Sequence, residues 1–508
     1  MRNFPSSVFG VWKRFLRGIK SRRFVLLSIA FPLGLRTIPE LLAGPWPLGF
    51  DTVWVYAPFV KDVETQGLGS AFASFFSVNH PAPLVYVLLG LGAVATGAPP
   101  FAITKAAAPL LYGFLGLSLY YFGRRGLQWD QKKSLFLVLV TTLYFVPLRF
   151  SWDMYKNLLG YAFFLMALAH FRDSRNNRGT TFLLAFAGFS ILSSELTAVL
   201  LGAMAGVFFV SEFVKERRWN LPAIAVLIVA GLATLFYLGV VFPATLAPSP
   251  FATPPERSLF PYNYVGAAED VYTYPTLVDV YATVLLLSGM VLGPLIPFAV
   301  AGFVRERRML AWTSILAIGA FSILVWPFAA IPFWHRWLFM LAFPAIVFAT
   351  HGVLKMDRRI RVAFLAVLLV LAASFVALPP PYAFPYYTNP QTIGYVQTSM
   401  LQNTVPLSDS PDIVAALTWL NGMRLNGSVL LAHLAFVGWA KLYSTIPHIY
   451  GFGDAVQVNG GNFSAYTRVL LIYWAMGQGW FKPSLLPSYA TEIHVNGRVA
   501  IYEIIQAS

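Results

Sequence analysis

Apolar runs of bilayer length, separated by short basic clusters, dominate this chain and leave it little choice of fold. About 20 apolar residues cross the hydrocarbon core as a helix, which pairs its own backbone groups where no water can. The runs fall at roughly 24–43, 102–122, 134–150, 158–171, 180–194, 197–213, 221–242, 277–303, 309–326, 337–354 and 362–378. Between them lie RRGLQWDQKK (124–133), RDSRNNR (172–178), KERR (215–218), RERR (305–308) and KMDRRIR (355–361). With the arm before Phe24, these clusters hold two thirds of the 36 lysines and arginines. The positive-inside rule puts all of them in the cytoplasm. Charged residues are 11% of the chain, against about 25% in soluble domains. The net charge of +15 is therefore a signal of orientation, and no nucleic-acid partner is expected. The absence of cysteine excludes disulfides and thiolate metal sites.

Parity of crossings decides one more element. Two apolar stretches, 82–97 and 102–122, separate the first span from Arg124. If both crossed, every later basic cluster would lie outside. The shorter one, bracketed by Pro81, Pro83, Pro99 and Pro100, is expected to lie in the outer interface. The expected fold is an α-helical polytopic membrane protein of about eleven spans, with the N-terminus in the cytoplasm of a cell-membrane protein. Met1 to Arg23 reads as a basic helix on the cytoplasmic surface, and the run from Phe24 is too long for a signal peptide. Arg36 and Glu40, four residues apart, are expected to pair at the outer end of the first span.

Residues 1–379 form the membrane domain, with 42–102 as a first outer loop carrying interface helices. The loop 243–276 is expected to be a flap over the outer face. Residues 380–508 read as a small extracytoplasmic α/β domain: a helix from Ser410-Pro411, a buried strand in SVLLAHLA, and a hairpin on an Asn-Gly type I′ turn in EIHVNGRVAIYEI.

Ionisable groups at membrane faces are costly and each invites a functional reading. Asp51, Asp153 and Glu195, with His80, Lys105, Lys156, His335 and Arg336, gather at the outer ends of different spans. Acids there suit a general base or a divalent metal, and cations suit a phosphate. Ordinary roles compete with these: Asp51 as a helix N-cap for TVWVYAPFVKDV, Lys105 as a snorkelling cation, Trp152 and Tyr155 as interface anchors. His433, His448 and His494 lack metal-ligand spacing and read as structural.

The segments GFDTVWVYAP, NHPAPLVYVLLGLG and ITKAAAPLLYG resemble the first outer loop and following span of the GT-C superfamily of polytopic glycosyltransferases, which use polyprenyl-phosphate-linked sugars. Protein O-mannosyltransferases and lipid A aminoarabinose transferases are among its branches. The resemblance implies that Asp51 is the general base of an inverting transfer and that the donor is a lipid-linked sugar. By the same resemblance Lys105, Lys156, His335 and Arg336, with His80, would contact the phosphate. Asp153 and Glu195 would position a protein, lipid or glycan acceptor, or hold a divalent metal. Many members carry a second acid directly after the first, where this chain has Thr52. A lipid-linked sugar flippase would instead show polar groups at the bilayer midplane and internal pseudo-symmetry. A non-catalytic glycolipid-binding relative is the third alternative.

Overall fold

One helix, α1 (Ser6–Leu42), joins the basic arm to the first apolar run without a break, so the arm is not an element apart. The protein, seen here in a computed structural model, is described over residues 6–79, 81–171, 176–217, 219–240, 277–303, 309–325, 334–377, 405–423, 425–452, 458, 461–475 and 489–505. The expected flap at 243–276 and His80 lie outside these residues.

After α1 the segment 42–99 folds into helices: a π-helical turn at Thr52–Tyr56, α2 (Ala57–Gln66), α3 (Leu68–Asn79) and α4 (Leu84–Thr96). The π turn has a local cause. Pro58 has no N–H for the Trp54 carbonyl, and the Ala57 N–H reaches back five residues to Thr52. With 13 residues, α4 is about 20 Å long, too short for the ~30 Å hydrocarbon core. α5 (Pro100–Arg125) then packs on α1, where a Cβ on Gly116 would stand 2.1 Å from the Ser28 carbonyl oxygen. Small residues at helix crossings give this close approach in membranes.

Helices α6 (Gln131–Leu143), α7 (Phe145–Asp153), α8 (Tyr155–Leu168), α9 (Asn177–Ser193), α10 (Glu195–Glu216), α11 (Leu221–Tyr237), α12 (Leu277–Leu292), α13 (Ile296–Phe303), α14 (Leu310–Val325), α15 (Trp334–Val353) and α16 (Arg358–Ala377) complete the bundle. Each of the eleven apolar runs contains helix. Six helices among the described residues are long and apolar enough to cross a bilayer, or seven if α6 and α7 count as one broken span. Helix length alone therefore supports fewer than eleven crossings, since α8, α11 and α14 have 14, 17 and 16 residues.

The run 134–150 is not one straight helix. It bends by 67° between α6 and α7, because Pro147 cannot donate to the Leu143 carbonyl and Tyr144 adopts an extended conformation. All nine residues of α7 are buried. The stretch SWDMYKN (151–157), between the runs at 134–150 and 158–171, forms no loop: Asp153 ends α7, Tyr155 begins α8, and only Met154 intervenes. Trp152 and Tyr155 are buried rather than anchored at an interface; Trp152 packs on Phe375 with ring centroids 4.7 Å apart. α15 is the most buried of the six long apolar helices, with 83% of its most apolar stretch inside the fold, and it carries His335 and Arg336 in its first turn.

The C-terminal sheet has the order β2 (His448–Phe452), β1 (Ser428–His433), β3 (Arg468–Trp474), β5 (Val499–Ile504), β4 (Ala490–Asn496). The first three strands are parallel, and β5 and β4 run as an antiparallel hairpin. Helices α17 (Ser410–Asn421) and α18 (Leu434–Tyr443) precede and follow β1. The hairpin turn differs from expectation by one residue. Asn496 pairs with Val499, so the two loop residues are Gly497 and Arg498. Gly497 alone has positive φ, at 55°, which is the type II′ pattern. Phe50 and Val53 of the segment after α1 are buried in the same hydrophobic core as this sheet, so bundle and domain meet at Asp51.

Candidate active site

Asp51 owes its place to the two residues before it. Gly49 has φ +107°, and a Cβ there would stand 2.3 Å from the Trp152 carbonyl oxygen and 2.6 Å from Asp153 Cβ. Only glycine lets the loop lie this close to the end of α7. The Phe50 N–H then donates to Asp153 Oδ2 at 3.1 Å, and the next residue, Asp51, starts the π turn. Its carboxylate makes no capping hydrogen bond. Instead Asp51 Oδ2 lies 3.7 Å from Arg336 Nη2, with the acid side chain 24% exposed and the arginine 17%.

Asp153 is held from behind. Arg149, one turn earlier on α7, binds it through both guanidinium nitrogens, Nη1 to Oδ1 at 2.6 Å and Nη2 to Oδ2 at 3.1 Å. Both side chains are buried. The Asp153 carboxylate is therefore committed to Arg149 and to the Phe50 N–H, and it registers the loop rather than facing a substrate. Thr52, the position of the family's second acid, points into the α7–α8 junction. Its hydroxyl lies 3.4 Å from both the Trp152 carbonyl and the Tyr155 hydroxyl. A carboxylate in that fully buried place would meet the Trp152 carbonyl oxygen.

Lys156 and Glu195 form a second pair, Nζ to Oε1 at 2.8 Å. The same oxygen accepts from the Ala82 N–H at 2.9 Å, which ties the segment leading into α4 to the start of α10. The Tyr56 hydroxyl accepts from the Lys156 N–H at 3.3 Å, and the Tyr56 ring stacks on Tyr155 at 4.8 Å.

Lys105 is held by partners other than Asp51. Its ammonium donates to the Glu40 carbonyl at 2.7 Å and the Trp46 carbonyl at 2.8 Å, and Glu40 Oε2 is 3.1 Å away. Three partners match the three donors of a lysine, so Lys105 closes the end of α1 and stabilises the turn that follows it. Glu40 also pairs with Arg36 at 2.6 Å, as the spacing implied. His335 is buried beside Trp334, one residue before Arg336.

Burial raises the Asp51 carboxyl from 3.8 to about 6, outweighing Arg336, which lowers it; Asp153 adds to the rise, and Lys156 and Arg149 oppose it. Asp51, Asp153, Lys156 and Arg336 thus share one electrostatic neighbourhood, and Glu195 joins through Lys156. The acids do not converge as metal ligands, since each lies against a cation. Among the described residues no group of three or more His, Asp or Glu side chains could hold a metal ion. The divalent metal anticipated for Asp153 and Glu195 therefore has no donor set here.

Sequence reading passed over Arg149. An arginine four residues before Asp153 inside an apolar run is the pattern that identified Arg36 and Glu40, and the same rule would have found it. Gly49 offered no such signal, because its partner is 103 residues distant.

The helical bundle, with the α/β domain set against the loop that carries Asp51, has the fold of a solved membrane-enzyme structure, ArnT. The chain is similar to ArnT from Cupriavidus metallidurans bound to undecaprenyl phosphate, with a TM-score of 0.52 and 13% identity over 96% of this chain and 99% of that one. Apo ArnT from the same organism gives 0.48 and 14% over 96% and 98%. Arabinofuranosyltransferase AftD from Mycobacteria gives 0.47 and 12% over 95% of this chain and 40% of that one. No protein-family model and no curated protein sequence matches the chain.

Proposed function

We propose that the protein transfers a sugar from a polyprenyl-phosphate carrier to an acceptor at the extracytoplasmic face of the membrane. One observation carries this reading: the Asp51 carboxyl is raised to about 6 while its oxygen lies 3.7 Å from the Arg336 guanidinium. A carboxylate tuned near neutral pH suits a general base, and a partly exposed arginine beside it suits a phosphate. Undecaprenyl phosphate in the ArnT structure supports a lipid-phosphate donor here.

Asp51 takes the proton of the acceptor hydroxyl or amide as that atom bonds to the anomeric carbon. The bond from that carbon to the phosphate oxygen breaks, its electron pair leaves with the lipid phosphate, and configuration inverts. Arg336 faces the developing negative charge, and Lys156, aligned by Glu195, adds positive potential. His80, next to the segment that Glu195 holds, stays a candidate phosphate contact, as does His335 beside Arg336. Asp153 acts as a positioning residue through the Phe50 N–H, and Lys105 serves the end of α1.

In this reading the N-terminus is cytoplasmic, eleven runs cross, and residues 380–508 are the outer domain. The distribution of basic residues supports it. On α5, Lys105 lies near the site end, while Arg124 and Arg125 form the far end with Lys132 and Lys133 of α6.

The test is Asp51→Asn, assayed in membranes for transfer from a radiolabelled polyprenyl-phosphate sugar. Loss of a general base lowers the rate by about 100-fold or more. Undiminished transfer removes Asp51 from the mechanism. Movement of the lipid-linked sugar across vesicles with no transfer favours a flippase instead.

A further inference from the structure

The C-terminal domain reaches the site through α18, which lies across the π turn next to Asp51. A Cβ on Gly438 would stand 2.1 Å from the Val53 carbonyl oxygen and 2.9 Å from Trp54 Cα, so any side chain there must move the turn. That turn is soft. The residue five beyond Val53 is Pro58, which has no N–H to give to the π ladder. Around the contact, Trp439 packs edge-on to Trp46 and Phe101, both at 5.6 Å. Phe50 and Val53, which flank Asp51 and Thr52, are buried in the domain's own core. On the other side the same short segment is gripped by the bundle, through Gly49 against Trp152 and Phe50 on Asp153. Asp51 therefore sits on a turn clamped between two bodies.

We propose that Gly438 is a positioning residue: through its contact with the Val53 carbonyl, the C-terminal domain sets the rotation of the turn that aims Asp51 at Arg336. The domain is then a working part of the site and not only an appended unit. This rests on Asp51 being the reacting acid, as proposed above. A side chain at 438 displaces the Val53 carbonyl, and Asp51, two residues earlier, rotates with it away from the guanidinium. Substrate-binding groups on α8, α10 and α15 stay in place.

The experiment uses the full-length protein in vesicles and compares Gly438→Ala with Arg468→Gln. The latter breaks an ion pair to Glu503 (2.7 Å) within the sheet and leaves the α18 contact intact. Two readouts are taken: kcat and KM for a polyprenyl-phosphate sugar, and the pH midpoint of carbodiimide modification at Asp51, followed by peptide mass spectrometry. Gly438→Ala is expected to lower kcat by about tenfold or more, with KM kept within about twofold. The Asp51 midpoint is expected to shift by about half a pH unit, while Arg468→Gln leaves kcat and midpoint as in the wild type. Wild-type values in Gly438→Ala, or equal losses in both variants at equal thermal stability, overturn the proposal. Should Gly438→Ala fail to assemble, Trp439→Phe, which loosens the same contact without a collision, must lower kcat at unchanged KM or the proposal falls. If the wild-type protein transfers no sugar but Gly438→Ala still moves the Asp51 midpoint, the transferase reading fails and the positioning inference stands.

Discussion

Asp51 keeps its proton to higher pH than a solvated aspartate because partial burial disfavours its charged form, and Arg336 at 3.7 Å offsets only part of that cost. Two consequences follow with opposite signs. The base form fills as pH rises through about 6, so kcat/KM should climb along an acid limb near that value and level off above it. The pH profile of sugar transfer checks this. Stability moves the other way. Between 3.8 and about 6 the folded state holds a proton that the unfolded state has released, so this group's contribution falls as pH rises and is constant above that window. Asp51→Asn should then be inactive yet more stable at pH 7, by at most about 3 kcal/mol, with the gain vanishing below pH about 4. Thermal unfolding in detergent at the two pH values measures it; equal stability at both would contradict the burial argument. Removing the cation has its own signature. Arg336→Gln should move the acid limb above its wild-type position and raise KM for the lipid-linked donor, both visible in one set of pH-dependent kinetics.

Among the elements, α7 explains why the loop is where it is. Pro147 breaks the run, the 67° bend turns a nine-residue half-helix inward, and its last turn presents Arg149 and Asp153 to the back of the Asp51 loop. A buried bidentate pair of this kind adds little net stability by itself, but breaking it strands a charge. Asp153→Asn should destabilise the protein by about 3 kcal/mol or more, read as a lowered Tm, because Arg149 loses its carboxylate and the Phe50 N–H loses a charged acceptor. Gly49→Ala should leave α7 intact and instead push the loop off Trp152, so its loss should appear in kcat more than in Tm. Such local devices were partly legible. Spacing exposed Arg36 with Glu40, and would have exposed Arg149 with Asp153. The break at Pro147 is visible to anyone who asks which carbonyl it leaves without a donor. What spacing could not reveal is that SWDMYKN is buried, since its aromatic and charged residues look the same at an interface as in a core.

Across the whole molecule, the bundle and the α/β domain share Asp51's segment, and neither fixes it without the other. A chain ending at Ala377 would expose Phe50 and Val53, with Trp46, Trp54 and Phe101 beside them, to water. It should aggregate or elute as a broadened species in size-exclusion chromatography, and recover no transfer when the separate domain is added at micromolar concentration. Hydropathy and turn chemistry sufficed for a bundle of apolar helices and for a C-terminal unit of helix and sheet, because burying apolar length is a property a chain carries locally. Asp51, Arg336, Lys156 and Glu195 could be named from the same scarcity of charge. Which of them meet was decided only by tertiary packing. Lys105 and Asp153 look like site residues in one dimension, yet contacts 59 and 103 residues away along the chain occupy them. A polar group's role depends on which partners fold within about 3 Å of it, and that distance is set by the packing of helices far apart in sequence.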